Sequence, residues 1–223
     1  MNRSNSQDVD KRSSDPGSEL QRPLMNDPFH YEALSGNAIR PYLPEIGRLR
    51  IAVFREYPYL YDGDPDYEEA YLETYARSER SLIVLLKSED EIVGATTCLP
   101  MADESPEFQA PFLAAGYDLN DIFYLGESVI LPAFRGRGAG HEFFQRREAH
   151  ARRVGPFRHT CFCAVDRPVD HPSRPAGYEP LDAFWTRMGY RKDPDLRCEL
   201  EWKEINEALP SRKRLSYWLK EWE

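Results

Sequence analysis

The chain has 223 residues, a formal net charge of −9, and 13 Tyr and 11 Phe. That length suits one domain with a substantial core, and an acidic balance disfavours nonspecific nucleic-acid binding, which rests on basic surface. No run approaches the roughly 18–20 apolar residues that cross a bilayer, so no membrane partner is expected.

Met1–Asp27 is rich in Ser, Asp and Asn and has almost nothing to bury. It reads as a disordered tail without the apolar core of a signal peptide, which makes a cytoplasmic address the expectation. Residues 28–223 read as a single domain. Cys98, Cys161, Cys163 and Cys198 read as buried thiols, and Cys161 and Cys163 lie too close along one strand for a zinc pattern; no metal is expected.

Order begins with a short strand at Phe29–Leu34. Ile39, Leu43, Ile46, Leu49 and Phe54 recur at helical spacing, and Pro41 and Pro44 confine the regular part of that helix to the residues after them. The next stretch, EYPYLYDGDPDYEEAY, alternates Tyr57, Tyr59, Tyr61 and Tyr67 with carboxylates. Asp62–Asp64 makes a turn and Pro65 opens a helix over Asp66–Ser78. The carboxylates suit a solvated helix start favoured by the dipole; the tyrosines suit a wall that attracts an amine.

Ser81–Leu86 and Ile92–Cys98 read as a hairpin. A long connection comes next, with a helix near Ala110–Ala115, then a strand over Phe123–Leu131. Pro132 stops that strand, and His141–Val154 reads as a helix closed by Gly155. Arg158–Val165 is a further strand, followed by a proline-rich loop to Tyr178. Leu181, Phe184, Trp185 and Met188 form a helical stripe closed by Gly189. Strands are expected at Tyr190–Lys192 and Leu196–Ile205, and a terminal helix at Arg212–Trp222. The mixture predicts an α/β (α+β) domain, a mostly antiparallel central sheet flanked by helices.

Between strand and helix lie Arg135, Gly136, Arg137, Gly138, Ala139 and Gly140. Strand, glycine turn and helix start aim backbone N–H groups and a positive helix end at one point, where an anion should sit. A phosphate loop of the G-x-x-x-x-G-K-S/T type fails, because no Lys-Ser or Lys-Thr comes after these glycines. The dinucleotide pattern G-x-G-x-x-G fails at His141.

The stretch ILPAFRGRGAG does match R-x-x-G-x-G, and here the chain resembles the GNAT (Gcn5-related N-acetyltransferase) family. The segment DAFWTRMGY resembles the family's second signature, in the right order and at a fitting distance. The resemblance runs from about Phe29 to Glu204 and implies the acyl-CoA N-acyltransferase fold, with acetyl-CoA as cosubstrate. By the family pattern, the amides of Gly136, Arg137, Gly138, Ala139, Gly140 and His141 cradle the pyrophosphate of coenzyme A, beside Arg135. The backbone of Ser128, Val129 and Ile130 lies along the thioester and the pantetheine arm.

Transfer of an acetyl group to an amine needs a proton acceptor, an oxyanion donor and sometimes a proton for the leaving thiolate. Glu127, a carboxylate in an otherwise apolar strand, is the candidate base, with Tyr124 as a rival site-lining residue. By alternation Glu127 and Ser128 cannot both face the site unless the strand bulges. The family's usual Tyr acid is replaced by Trp185, which does not titrate usefully and suits the helix core. Tyr178, at the mouth of that helix, can stand in, or the thiolate leaves into solvent. The resemblance implies a primary-amine acceptor, and the acidic balance favours a small cationic amine or a Lys side chain of a peptide. A homodimer stays open, as does a CoA-binding sensor on the same fold without turnover.

Overall fold

A computed structural model describes residues 29–222. The expected tail at Met1–Asp27 lies outside the described residues. The elements in order are β1 (His30–Leu34), α1 (Leu43–Phe54), α2 (Pro65–Arg77), β2 (Leu82–Ser88), β3 (Glu91–Pro100), α3 (Pro106–Ala114), β4 (Ile122–Tyr124) and β5 (Ser128–Ile130). They continue with α4 (Ala139–Val154), β6 (His159–Val165), α5 (Asp182–Arg187), β7 (Arg191–Trp202) and β8 (Ser211–Glu221). The prolines of the first helical stretch mark its change of geometry: Gly36–Tyr42 winds as a 3-10 helix and α1 starts beside Pro44. Asp64 caps α2, its carboxylate accepting from the Asp66 and Tyr67 amides, and Pro65 occupies the first turn.

One sheet runs in the order β1-β2-β3-β4-β6-β8-β7, with β5 also paired to β3. Every pairing is antiparallel except β4 with β6. Side chains alternate across it, so it carries two cores. On one face Tyr75, Met101, Phe112, Tyr124 and Tyr217 pack with α1, α2 and α3. On the other, Phe123, Phe143, Phe162, Tyr190 and Trp218 pack with α4 and α5. Phe184, Trp185 and Met188 join this second core, while Leu181, the first residue of their stripe, is 54% exposed.

Two expectations are corrected. The single strand over Phe123–Leu131 is two short strands, and the register against β3 slips by one residue between them; Glu127 and Ser128 nonetheless alternate, Glu127 toward Arg50 and Ser128 toward Thr96. The terminal helix is instead β8, an inner strand between β6 and β7. Its basic residues at Arg212–Arg214 and Lys220 obscure a strand buried on both faces. Leu215 and Tyr217 point to one core and Trp218 to the other. Seven residue pairs with β6, from His159↔Glu221 to Val165↔Leu215, decide the matter against local helix preference.

The two halves are joined by polar contacts as well. The Tyr190 hydroxyl lies 3.0 Å from both Glu148 Oε1 on α4 and Thr160 Oγ1 on β6. Lys220 on β8 donates to both Glu148 oxygens at 2.9 Å.

Tyr217 tests the inner-strand assignment. It is fully buried and its hydroxyl donates to the Phe108 carbonyl at 2.8 Å. Tyr217→Ala should cost about 3–5 kcal/mol of unfolding free energy in urea, and Tyr217→Phe about 1 kcal/mol. An effect of Tyr217→Ala below about 1 kcal/mol would mean that the strand is not part of the core.

Candidate active site

Pairing between β4 and β6 is brief. Ile122↔His159, Phe123↔Thr160 and Tyr124↔Cys161 match, the Leu125 amide still donates to the Cys161 carbonyl at 2.7 Å, and then the strands part. Beyond that point β5 pairs only with β3, and the rest of β6 pairs with β8. A wedge therefore opens inside the sheet. The Thr97 amide donates to Glu127 O at 3.0 Å and the Leu131 amide to Val93 O at 2.9 Å, so those groups face β3. By alternation Ser128 and Ile130 turn their N–H and C=O groups the other way, into the wedge.

The bend that opens the wedge is tightly held. The Glu127 carbonyl accepts from the Thr97 amide, from Thr96 Oγ1 at 2.7 Å, and from the buried Arg147 of α4 at 3.4 Å. A Cβ at Gly126 would run into the Tyr75 hydroxyl and Thr97 Oγ1, so only glycine passes there.

At the other end of β5 the chain enters the glycine turn. Gly136 and Gly138 take positive φ, +74° and +87°, with open space where a side chain would stand. Gly138 caps α4, and the His141 and Glu142 amides both donate to its carbonyl. Among the described residues, the amides of Gly136, Gly138, Ala139 and Gly140 donate to no backbone carbonyl. This cradle of unpaired amides at a helix start fits a pyrophosphate. His141 is exposed on the first turn. Arg135 donates to the Ile130 carbonyl at 2.8 Å and pairs with Glu56 at 2.7 Å, while Arg137 lies over the Phe29 ring at 4.3 Å.

On the α1–α2 face, a buried ion cluster floors the wedge. Arg50 reaches from α1 to Glu68 of α2, and its Nη1 lies 2.5 Å from Glu127 Oε1. Burial works against the guanidinium's charge, and Glu127 and Glu68 more than restore it. The Tyr71 hydroxyl stands 3.4 Å from Glu127 Oε2 and 3.1 Å from the Tyr75 hydroxyl. Burial first, and then the charge of Glu127, push both phenols well above their ordinary range. Glu104, between β3 and α3, is buried beside this cluster. Tyr124 is buried too, its hydroxyl 3.3 Å from Cys163 Sγ.

Tyr178 packs edge-on against Tyr57 with ring centroids 4.7 Å apart. Burial, and then the proximity of Tyr57, raise its pKa, so its hydroxyl stays protonated. Trp185 packs edge-on against Phe162 and Trp218, each 5.1 Å away, as core. Of the Tyr-rich segment, Tyr57 and Tyr61 are both buried, Tyr57 against Tyr178 and Tyr61 paired with Glu204, while Tyr67 is half exposed and stacks on Tyr71. Asp62 pairs with Lys203 and Arg55, and Asp64 is a helix cap; neither serves the wedge.

Sequence reasoning missed Arg50, Tyr71, Tyr75 and Glu104, and read Glu68 only as one carboxylate of the acidic stretch. A signal existed for two of them. Arg50 falls one turn after Ile46 on the apolar face of α1, and Glu68 falls one turn before Leu72 on that of α2. Two opposite charges on the buried faces of consecutive helices imply each other.

The family model of the Acetyltransferase (GNAT) family matches residues 48–190. No curated protein matches the chain. Among solved structures, a ribosomal-protein-alanine N-acetyltransferase from Brucella melitensis is similar at a TM-score of 0.56 and 13% identity, over 86% of this chain and 99% of that one. NAA60 of Arabidopsis thaliana, solved with a bisubstrate analogue, is similar at 0.53 and 10% identity, over 88% and 100%. The putative acetyltransferase yncA of Salmonella typhimurium, solved with acetyl-CoA, is similar at 0.52 and 10% identity, over 88% and 94%. At such identities these are likenesses of fold, and the family match is what carries kinship. The chain belongs to the GNAT acetyltransferase family, and it is an enzyme that draws its acetyl group from acetyl-CoA.

Proposed function

We propose that the chain transfers the acetyl group to a primary amine that arrives as a cation, either a small amine or a Lys side chain of a peptide. The observation that carries this reading is the floor of the wedge: Glu68 and Glu127, both buried, share the single guanidinium of Arg50. Such a floor is negative on balance and favours an ammonium over a neutral or anionic acceptor. The exposed ring of Tyr67, stacked parallel to Tyr71, offers a face for the same cation.

The residues divide the work along the wedge. The unpaired amides of Gly136, Gly138, Ala139 and Gly140 hold the pyrophosphate, the expected His141 amide being already engaged by the Gly138 carbonyl, and the edge groups of Ser128 and Ile130 align the thioester arm. Acetyl-CoA supplies the activated carbonyl. Glu127, held by Arg50, faces the acceptor amine, and Tyr178 offers its phenolic proton to the departing thiolate from across the mouth. The test is thiol release from acetyl-CoA across polyamines, aminoglycosides, amino acids and Lys-containing peptides. Turnover with cationic amines supports the reading; turnover confined to neutral or anionic acceptors sinks it.

Three variants separate the parts. Gly138→Asp forces a side chain into a positive-φ position and adds an anion at the cradle. It should remove the thermal stabilisation by CoA, which at about 100 times Kd is worth about 2.7 kcal/mol in the parent. Glu127→Gln should lower kcat/KM about 100-fold or more while CoA still raises the melting temperature. Tyr178→Phe should lower kcat about tenfold with CoA affinity unchanged; an unaltered kcat would leave the thiolate to solvent.

A further inference from the structure

The two banks of the wedge are tied to each other by a strap, residues 55–64, which connects α1 to α2. It begins on the β5 side, where Glu56 pairs with Arg135 at 2.7 Å and Arg135 donates to the Ile130 carbonyl at 2.8 Å. It then crosses to the other bank, which is β6 with β8 and β7 beyond it. Arg167, two residues after β6, donates to the Pro58 carbonyl at 2.6 Å, the Tyr59 carbonyl at 3.1 Å and Glu204 Oε1 at 2.6 Å. Trp202 Nε1, at the end of β7, donates to the Tyr59 carbonyl at 3.1 Å. Backbone bonds stitch on the tip of the β7–β8 hairpin. The Asp62 amide donates to Lys203 O at 2.9 Å, and the Ile205 amide to Leu60 O at 2.8 Å. Leu60, in the middle of the strap, is held at φ +55°, a conformation that a residue with a side chain rarely adopts.

The strap lies over the part of the wedge that Glu127 floors. The Tyr59 ring packs 4.6 Å from that of Phe54, and Phe54 lies under the Arg50 guanidinium that holds Glu127. Burial raises the pKa of the Tyr59 phenol, and the next contributions come from Cys163 on β6 and Glu127 before β5, one from each bank. Tyr57 is gripped by the loop after β6, 4.7 Å from the Tyr178 ring and 5.6 Å from that of His171.

A polypeptide lying across a sheet edge needs an open trough and free backbone groups on its walls. Here the walls are bonded to each other: the facing amides and carbonyls of the strap and the hairpin are already paired. An approach to Glu127 clear of the strap runs along α2. Tyr67 is 54% exposed, its ring stacks 6.5 Å from that of Tyr71, and the Tyr71 hydroxyl stands 3.4 Å from Glu127 Oε2. The interval between the two rings alone matches the roughly 6 Å that a Lys side chain spans from Cα to nitrogen. A Lys within a polypeptide would therefore have to bring its backbone in past Tyr67, against the strap.

We propose that the strap makes the acceptor site a closed portal, which admits a small free amine end-on along Tyr67 and Tyr71 and excludes a Lys side chain carried within a polypeptide. Arg167 is its pin, a positioning residue that touches none of the reacting atoms. This deepens the acceptor reading above and rests on it in placing the amine at Glu127.

The test uses two conjugates of coenzyme A in which an S–CH2–CO link joins the sulfur to the acceptor nitrogen, so that binding is read without turnover. One carries n-butylamine, which is a Lys side chain without its polypeptide. The other carries the side-chain nitrogen of a Lys at the centre of a short peptide blocked at both ends. By calorimetry, the full chain should bind the peptide conjugate about 100-fold more weakly than the butylamine one. Affinities within about threefold of each other overturn the proposal.

Arg167→Ala should shrink that gap to about tenfold or less, with stabilisation by CoA unchanged. Hydrogen exchange at the Asp62 and Ile205 amides should quicken about tenfold or more in the same variant. Glu204 keeps Lys213 at 3.5 Å there, so no buried carboxylate is stranded. A gap that persists, or exchange that stays slow, overturns the strap as the barrier and Arg167 as its pin. If Arg167→Ala does not fold, Trp202→Phe keeps a ring and removes one bond to the Tyr59 carbonyl. It should narrow the gap about threefold, and an unchanged gap overturns the proposal equally.

Charge and access are separable in these measurements. The conjugated nitrogen is an uncharged amide, so the two affinities do not depend on a cationic acceptor. Turnover of small neutral amines alone would end the cationic reading and leave the portal standing. Turnover of blocked Lys peptides at rates matching small amines would end the portal and leave the cationic reading standing.

Discussion

The architecture depends on a parallel pairing that is abandoned after three residue pairs. Where β4 and β6 part, the sheet holds an internal edge whose N–H and C=O groups have no strand to meet. Unpaired backbone inside a protein is unfavourable unless something else satisfies it. The Glu127 carbonyl draws three donors at that point, from β3 twice and from α4 once. Those bonds fix the angle of the break, and the edge beyond it stays open, the place we propose for the extended arm of the cosubstrate. Because the contacts are to backbone, the unusual Ser128 is tolerated in that register.

The two ends of the wedge obey different physics. At the α4 end, glycines at positive φ and a helix start collect amide dipoles, which favour an anion without any buried charge. At the α1–α2 end, formal charges are buried and must balance side chain by side chain. Under the proposed reading, the anionic end of acetyl-CoA and a cationic acceptor would be sorted to opposite ends before any reaction. Sheet continuity through β8, and the Glu148–Lys220–Tyr190 contacts, hold the α4 half against the rest.

Much of this was legible in residues alone. R-x-x-G-x-G before an apolar-faced helix, the early hairpin, and the stripe Phe184, Trp185 and Met188 all have short-range signals. The break before β5 was not legible: Glu127 and Ser128 alternate as on any strand, facing Arg50 and Thr96, and the one-residue slip lies upstream of both. β8 was not: a strand buried on both sides between two others loses its alternation, and basic residues at its start mimic a helix surface. Glu104 was equally hidden. Its burial is a tertiary outcome, and nothing local in PMADESPE distinguishes it from the solvated Glu107 three residues on. The disorder expected of Met1–Asp27, and the division into one domain, stand as expectations.

β8 has a further consequence, which concerns the order of assembly. It is the last strand in sequence and an inner strand in space. A ribosome delivers β6 and β7 first, and each must wait with an open edge for the neighbour they share. The cosubstrate turn and both signature segments are therefore synthesised well before the sheet that supports them can close. Folding of this domain should be late and concerted, the sheet closing only when residues 211–221 join β6 and β7.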